Sequence, residues 1–235
     1  MTTVATSLFR RVGPAYAVFA ALLIVVVALV GTLIAVYGSL TESAWHLGTA
    51  STVKWFVGPV AILLVPVFLR HYVAFGVTRR QFIGGGLLFG LGSAAAFALL
   101  SLAGFGVERL VYGAAGLMDG LTGPYPVHSA GTAVAVLVRA FLIYLAHFCS
   151  GWLIGAGFYR YGPFAGLLLI APAMIPALGS ELFFGTEWSP IGATTLAGLR
   201  LPFAVSALLT VVLVTAGFAV VHAIGRTVAI RGKIY

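Results

Sequence analysis

An all-α, polytopic membrane fold with six spans is the architecture this sequence predicts, and three observations predict it. Of its 235 residues, 61% are hydrophobic and only 8% charged, about a third of the roughly 25% usual for soluble domains. The apolar residues fall in six long stretches, and the charges lie almost only between them. Each stretch is close to the ~20 residues that a spanning helix requires, and six of them with short loops use up the length, leaving no room for a soluble catalytic domain.

The spans are predicted at about 15–37, 53–69, 82–107, 133–158, 163–178 and 201–224. Helices are the open-chain solution in lipid, because every backbone N–H and C=O must be satisfied without water. The ten-residue dyad alternation of a membrane barrel is absent. The first span follows Arg10 and Arg11 but is longer than the ~7–15 residues of a signal-peptide core, so a retained span is expected. Residues 1–14 are read as an N-terminal interfacial segment, and the whole chain as one transmembrane domain.

Charge fixes the expected orientation. With the N-terminus inside, Arg10, Arg11, Arg70, Arg79, Arg80, Arg160, Arg226, Arg231 and Lys233 are cytoplasmic, whereas Lys54, Arg109, Arg139 and Arg200 lie on or near the outer side. Glu42, Glu108, Asp119, Glu181 and Glu187 are all outer. This is the positive-inside pattern, and it predicts both termini in the cytoplasm and a multi-pass location in the cytoplasmic membrane. The net charge of +8 is explained by these flanks. No basic run with interleaved aromatics marks a nucleic-acid-binding module, so no nucleic-acid partner is expected.

The connections carry further signals. Between the fifth and sixth spans, Leu182, Phe183, Phe184 and Trp188 precede Pro190. That stretch is too apolar for a solvated loop and too short and broken to cross, so a half-inserted outer hairpin is predicted, with Trp188 at headgroup level. After the second span, Gly76 permits a sharp turn and Thr78 can cap a helix beginning at Arg79. A short basic helix along the cytoplasmic surface is the expectation.

Within the spans, Gly86 and Gly90 have small-xxx-small spacing, as do Gly151 and Gly155, and both pairs are expected to pack helices closely. Arg139, Tyr144 and His147 are candidates for a substrate path or an intramembrane polar site, because ionisable groups in a membrane are costly. Arg139 near a span end can equally snorkel outward or meet Glu108 or Asp119, and a hydrogen-bonded core histidine is the plain reading of His147. No carboxylate is expected deep in a span, which argues against a proton-driven carrier. Ser150 beside His147 lacks an oxyanion motif. The lone Cys149 is read as a packing residue, and no His, Cys and carboxylate set has metal-ligand spacing.

Two segments carry a resemblance. The run Phe75-Gly76-Val77-Thr78-Arg79-Arg80-Gln81-Phe82 after the second span resembles the coupling stretch of type-2 export permeases of the ATP-binding-cassette class. The run from Gly151 to Gly162, Gly-Trp-Leu-Ile-Gly-Ala-Gly-Phe-Tyr-Arg-Tyr-Gly, is similar to one that ends their fourth span. The six-span layout matches over almost the whole chain. The resemblance implies a permease subunit paired with a second copy, as a homodimer in membrane lipid. Two copies of a cytosolic ABC ATPase would bind beneath and supply ATP and Mg chemistry. Gly76, Thr78, Arg79, Arg80 and Gln81 would then be coupling residues. The implied activity is export of a hydrophobic or amphipathic substrate such as a drug, lipid or peptide. The chain has no P-loop, so it is expected to be non-catalytic and to hold no cofactor. The alternatives are a stand-alone channel or secondary carrier, or a membrane-embedded enzyme.

Overall fold

The computed structural model describes residues 1–38, 41–122, 125–185 and 201–227. All regular structure among them is helical. Helix α1 spans Thr2–Tyr37 and α2 spans Ala44–Ile62; α2 passes through a π-helical stretch, Leu64–Leu69, into α3, Arg70–Ala74. Helices α4, Arg79–Ala115, and α5, Ala130–Tyr161, follow. Three short helices come next: α6, Pro163–Leu168; α7, Ile170–Ala173; and α8, Ile175–Phe184. Helix α9 is Phe203–Thr227. Five segments are long and apolar enough to cross a membrane: Thr2–Tyr37, Ala44–Ala74, Arg79–Ala115, Ala130–Tyr161 and Phe203–Thr227.

The helices overrun the apolar stretches because caps, not hydropathy, end them. Ser43 caps α2 by accepting from the His46 N–H at 3.0 Å. At α4 and α5, Thr78 with Gln81 and Ser129 with Thr132 form reciprocal capping boxes, each satisfying two backbone N–H groups that a bare helix start would leave unpaired. Residues 1–14, expected as a separate interfacial segment, are the first turns of α1. Val4 and Leu8 are buried there, and the Phe9 ring meets Phe89 edge-on at 4.8 Å.

Contacts fix the directions. Met1 lies against Gly84 and Phe9 against Gly92, so α1 runs parallel to α4. Arg160 donates from Nη1 to the Ile224 carbonyl at 3.0 Å and to the Thr227 hydroxyl. That joins the C-terminal ends of α5 and α9, where a cation meets exposed carbonyls and the negative end of the helix dipole. Arg79, Arg80, Arg160 and Arg226 thus gather at one end of the bundle, and Glu108 lies at the other. Arg10 and Arg11 are exposed and set in from the basic end by roughly 12 Å along α1.

Helix α5 is the hub. Its residues from Leu142 to Gly157 are all buried, with α2, α4, α8 and α9 around it. The α2 contact is the closest. A Cβ on Gly151 would lie 2.1 Å from the Gly58 carbonyl oxygen, and one on Gly155 2.1 Å from that of Ile62. Pro66 has no N–H to give Ile62 four residues back, which leaves that carbonyl turned toward Gly155 where α2 passes into its π-helical stretch. Gly86 and Gly90 instead receive the rings of Trp152 and Phe148. The outer surface is apolar. Val18, Leu22, Val25, Leu29 and Leu33 are exposed along α1, a face fit for lipid and not for water.

A buried ionic cluster as candidate functional site

Helices α6 to α8 run back along α5. Gly166 packs on Phe158, and the Ala177 N–H donates to Ser150 Oγ at 3.0 Å. The helix is broken here by Pro172 and Pro176, which lack donors of their own, and Ser150 supplies an acceptor for the restart. The hydroxyl considered as a nucleophile is therefore engaged in holding α8 to α5.

One turn further on, Glu181 enters the interior. Its Oε1 lies 2.6 Å from Lys54 Nζ of α2 and 3.1 Å from His147 Nε2 of α5. Lys54 and Glu181 are each 1% exposed and His147 is 3% exposed. Neither approach is aligned as a hydrogen bond, so the Lys54 approach is a charge contact and that of His147 is one only when its imidazole is protonated. His147 Nδ1 lies 2.9 Å from the Ile143 carbonyl, and the Trp55 ring stands edge-on to the imidazole at 5.7 Å.

This corrects the sequence-based expectation in two places. Lys54 is not at a span end, because α2 begins at Ala44 and carries it roughly 15 Å into the bundle. Glu181 is not at an outer end facing water, because α8 continues through Leu182, Phe183 and Phe184 and turns its carboxylate inward. A signal was present for both. Ser43 is a helix start that precedes the apolar stretch by ten residues, and three apolar residues follow Glu181.

A cavity of about 300 Å³ adjoins the cluster. Ala50, Ile143 and Gly185 line it, each four residues from Lys54, His147 and Glu181 respectively, one helical turn toward the Glu108 end. Arg139 and Tyr144 line it too, and Tyr144 Oη is 2.9 Å from Ser101 Oγ. The structure thus brings two of the three candidates, Arg139 and Tyr144, to one space, while His147 sits with Lys54 and Glu181 in the cluster behind its wall.

Glu108 does a different job. It accepts from the Trp45 N–H at 2.8 Å, from Tyr125 Oη at 2.8 Å and from Ser43 Oγ. A carboxylate at the first turn of α2 satisfies orphan donors and faces the positive end of the dipole. Burial, and then the Glu108 carboxylate, push the Tyr125 phenol well above its ordinary range.

At the basic end, Gly76 has φ +81°, a left-handed conformation that only glycine adopts cheaply. The Thr78 N–H donates to Gln81 Oε1 at 2.9 Å, and the Gln81 N–H donates to Thr78 Oγ1 at 3.2 Å. The helix capped this way is α4 itself, with Arg79 and Arg80 in its first turn. Phe183 and Phe184 end α8, where the Phe183 carbonyl accepts from Ser206 Oγ at 2.6 Å; Trp188 lies outside the described residues. Among the described residues, no group of three His, Cys, Asp or Glu could hold a metal ion. Cys149 is buried against Gly217.

No family model, curated protein or solved structure matches this chain.

Proposed function

We propose that the chain is the transmembrane permease subunit of an ATP-driven exporter, working as a homodimer over two copies of a separate ATPase. In this reading it crosses the cytoplasmic membrane six times with both termini inside. The sixth pass is α6 to α8, which at 1.5 Å per residue is roughly 30 Å long, about the thickness of the hydrocarbon core. The observation that carries the reading is the turn at Gly76 followed by the Thr78–Gln81 capping box. It fixes Arg79 and Arg80 at the basic end, on the residues that resemble the coupling stretch of such permeases. A rigid, cationic helix start is suited to receive a push from an acidic groove beneath and to pass it along α4, one unbroken helix to Ala115. Export of a hydrophobic or amphipathic substrate follows from the same resemblance.

Purification from the native membrane in mild detergent tests this. A stoichiometric ATPase is expected, with hydrolysis that changes in the Arg79→Glu, Arg80→Glu double variant. A chain that purifies alone and is indifferent to nucleotide would sink the proposal.

A secondary carrier is the second reading, and one observation favours it. The objection that no carboxylate lies within the membrane is removed by Glu181, buried between Lys54 and His147. Transport by the purified chain alone, driven by an ion gradient, would separate it from the exporter.

A further inference from the structure

Between α1 and α4, in the half of the bundle toward Glu108, the described residues leave a groove of about 490 Å³, within the ~300–1,000 Å³ of ligand sites. Side-chain size accounts for it. Nearer the basic end, rings hold the two helices together: Phe9 meets Phe89, Tyr16 meets Phe97, and Phe19 stands edge-on to Phe97 at 5.7 Å. Beyond Phe19, the α1 wall includes Ala28, Gly31 and Ala35, whose side chains are too short to close the gap. Trp45 of α2 forms the back wall, its indole seated where Gly104 has no Cβ. The front is open, with Ala28, Ala103, Val107 and Val111 exposed along it.

The polar side chains of the lining are already engaged within the fold. Thr32 Oγ1 donates to the Ala28 carbonyl at 2.7 Å, and Trp45 Nε1 donates to the Ser101 carbonyl at 2.8 Å. Tyr112 Oη accepts from the Ala44 N–H at 3.4 Å, and Glu108 accepts from the Trp45 N–H, Tyr125 and Ser43. A charged or hydrogen-bonding ligand would give up its water here without a replacement partner. A hydrocarbon gives up nothing, so the occupant this lining fits is apolar.

Dimensions narrow the choice further. The groove follows α1 from Ile24 to Ala35 and α4 from Leu100 to Tyr112, roughly 17 Å along the helix axes at 1.5 Å per residue. Phe19 and Phe97 close it about one turn below. A hydrocarbon core is ~30 Å thick, so the chains of one leaflet fill about half of that depth, close to the length of the groove. Its open front is continuous with the exposed apolar face of α1 at Leu29 and Leu33, the face fit for lipid. We propose that this groove is a lipid-binding site. It takes one acyl chain of a phospholipid from the leaflet at the Glu108 end, lying lengthwise between α1 and α4 with the headgroup beyond Tyr112. The bound chain fills the contact that the short α1 side chains leave open. This inference rests on the chain lying in a membrane and not on the exporter reading, since it needs neither an ATPase nor a second copy.

Trp45 reports the occupant, because it lines the groove and is only 6% exposed. The whole chain is placed in phosphatidylcholine nanodiscs whose acyl chains are either plain or brominated at mid-chain. Bromine quenching of tryptophan fluorescence is read as the ratio between the two. A chain keeping Trp45 as its sole tryptophan isolates the signal. If that chain does not fold, the difference between the native chain and Trp45→Phe gives the same quantity. Trp45 is expected to be quenched despite its burial. The quenching should fall by at least half when Ala28→Phe and Ala103→Phe fill the groove from its two walls, both at exposed positions. It should persist in Ala17→Phe, an exposed α1 position outside the groove. Three results would overturn the proposal: a Trp45 that brominated chains leave unquenched, quenching that the groove-filling pair leaves unchanged, or quenching that Ala17→Phe lowers as much. None of them bears on the exporter reading, because the sample holds no nucleotide and no ATPase.

Discussion

Replacing Lys54 by Met is the most informative single perturbation. Lys54 and Glu181 are 2.6 Å apart, so at an effective dielectric of ~20 their attraction is about 6 kcal/mol. Bringing the two ions out of water costs several kcal/mol each, and the intact pair contributes little net stability. A single replacement is different, since it leaves the other charge buried. The usual loss is about 3–5 kcal/mol. His147, 3.1 Å from the same oxygen, offsets part of this, which puts Lys54→Met near the lower end, at about 3 kcal/mol. Removing both charges in Lys54→Met with Glu181→Met restores an apolar core of similar volume, and a loss of no more than about 1 kcal/mol is expected. The two changes are then strongly non-additive. Unfolding in detergent followed by tryptophan fluorescence is a suitable assay, because Trp152 is buried in the bundle and Trp55 touches His147. If both single variants lose under about 1 kcal/mol, or if the double variant loses the sum of the singles, the cluster does not act as a unit and the reasoning fails.

Other consequences are simpler to measure. Gly155→Ala would put a Cβ 2.1 Å from the Ile62 carbonyl, a backbone atom that cannot turn away. It should lower stability by about 1–3 kcal/mol, whereas Gly106→Ala, with open space around it, should be neutral or slightly stabilising; thermal unfolding of the two side by side distinguishes them. Thr78→Ala removes the α4 cap and should cost about 1 kcal/mol, with faster hydrogen exchange confined to the first turn of α4. Tyr125 should make the protein sensitive to strong alkali. Its folded-state phenol lies above the ordinary value, so its contribution is complete below about pH 10 and lost as pH rises through the folded value. Tyr125→Phe should lose stability at neutral pH and show a weaker further decline in alkali; equal declines in the two proteins would count against the Tyr125–Glu108 bond.

Much of the bundle was legible in the residue order. Apolar stretches of spanning length forecast α1, α4, α5 and α9, and Thr78 forecast a helix beginning at Arg79, expected as a short surface helix and found to be the first turn of α4 itself. The ends were less legible, since an apolar window marks where lipid is tolerated while Ser43 and Ser129 decide where the helix begins. The stretch from Pro163 to Phe184 read as one span ending at Leu178 followed by a hairpin. It is three short helices, because Pro172 and Pro176 withhold donors, and Ser150 of another helix accepts from the Ala177 N–H where the helix restarts.

By itself, the sequence determined the all-helical class, the apolar exterior, the separation of Arg79, Arg80, Arg160 and Arg226 from Glu108, and the glycines available for close approach. These are properties of composition and of spacing along one helix, and they need no partner to exist. Only the tertiary structure decided that Lys54, His147 and Glu181 share one oxygen, that Glu108 caps α2, and that the carbonyls of Gly58 and Ile62 take the space left by Gly151 and Gly155. Each of those depends on the rotation of one helix against another. A turn of a few residues moves a side chain from lipid to interior without changing the hydrophobic pattern that the sequence displays.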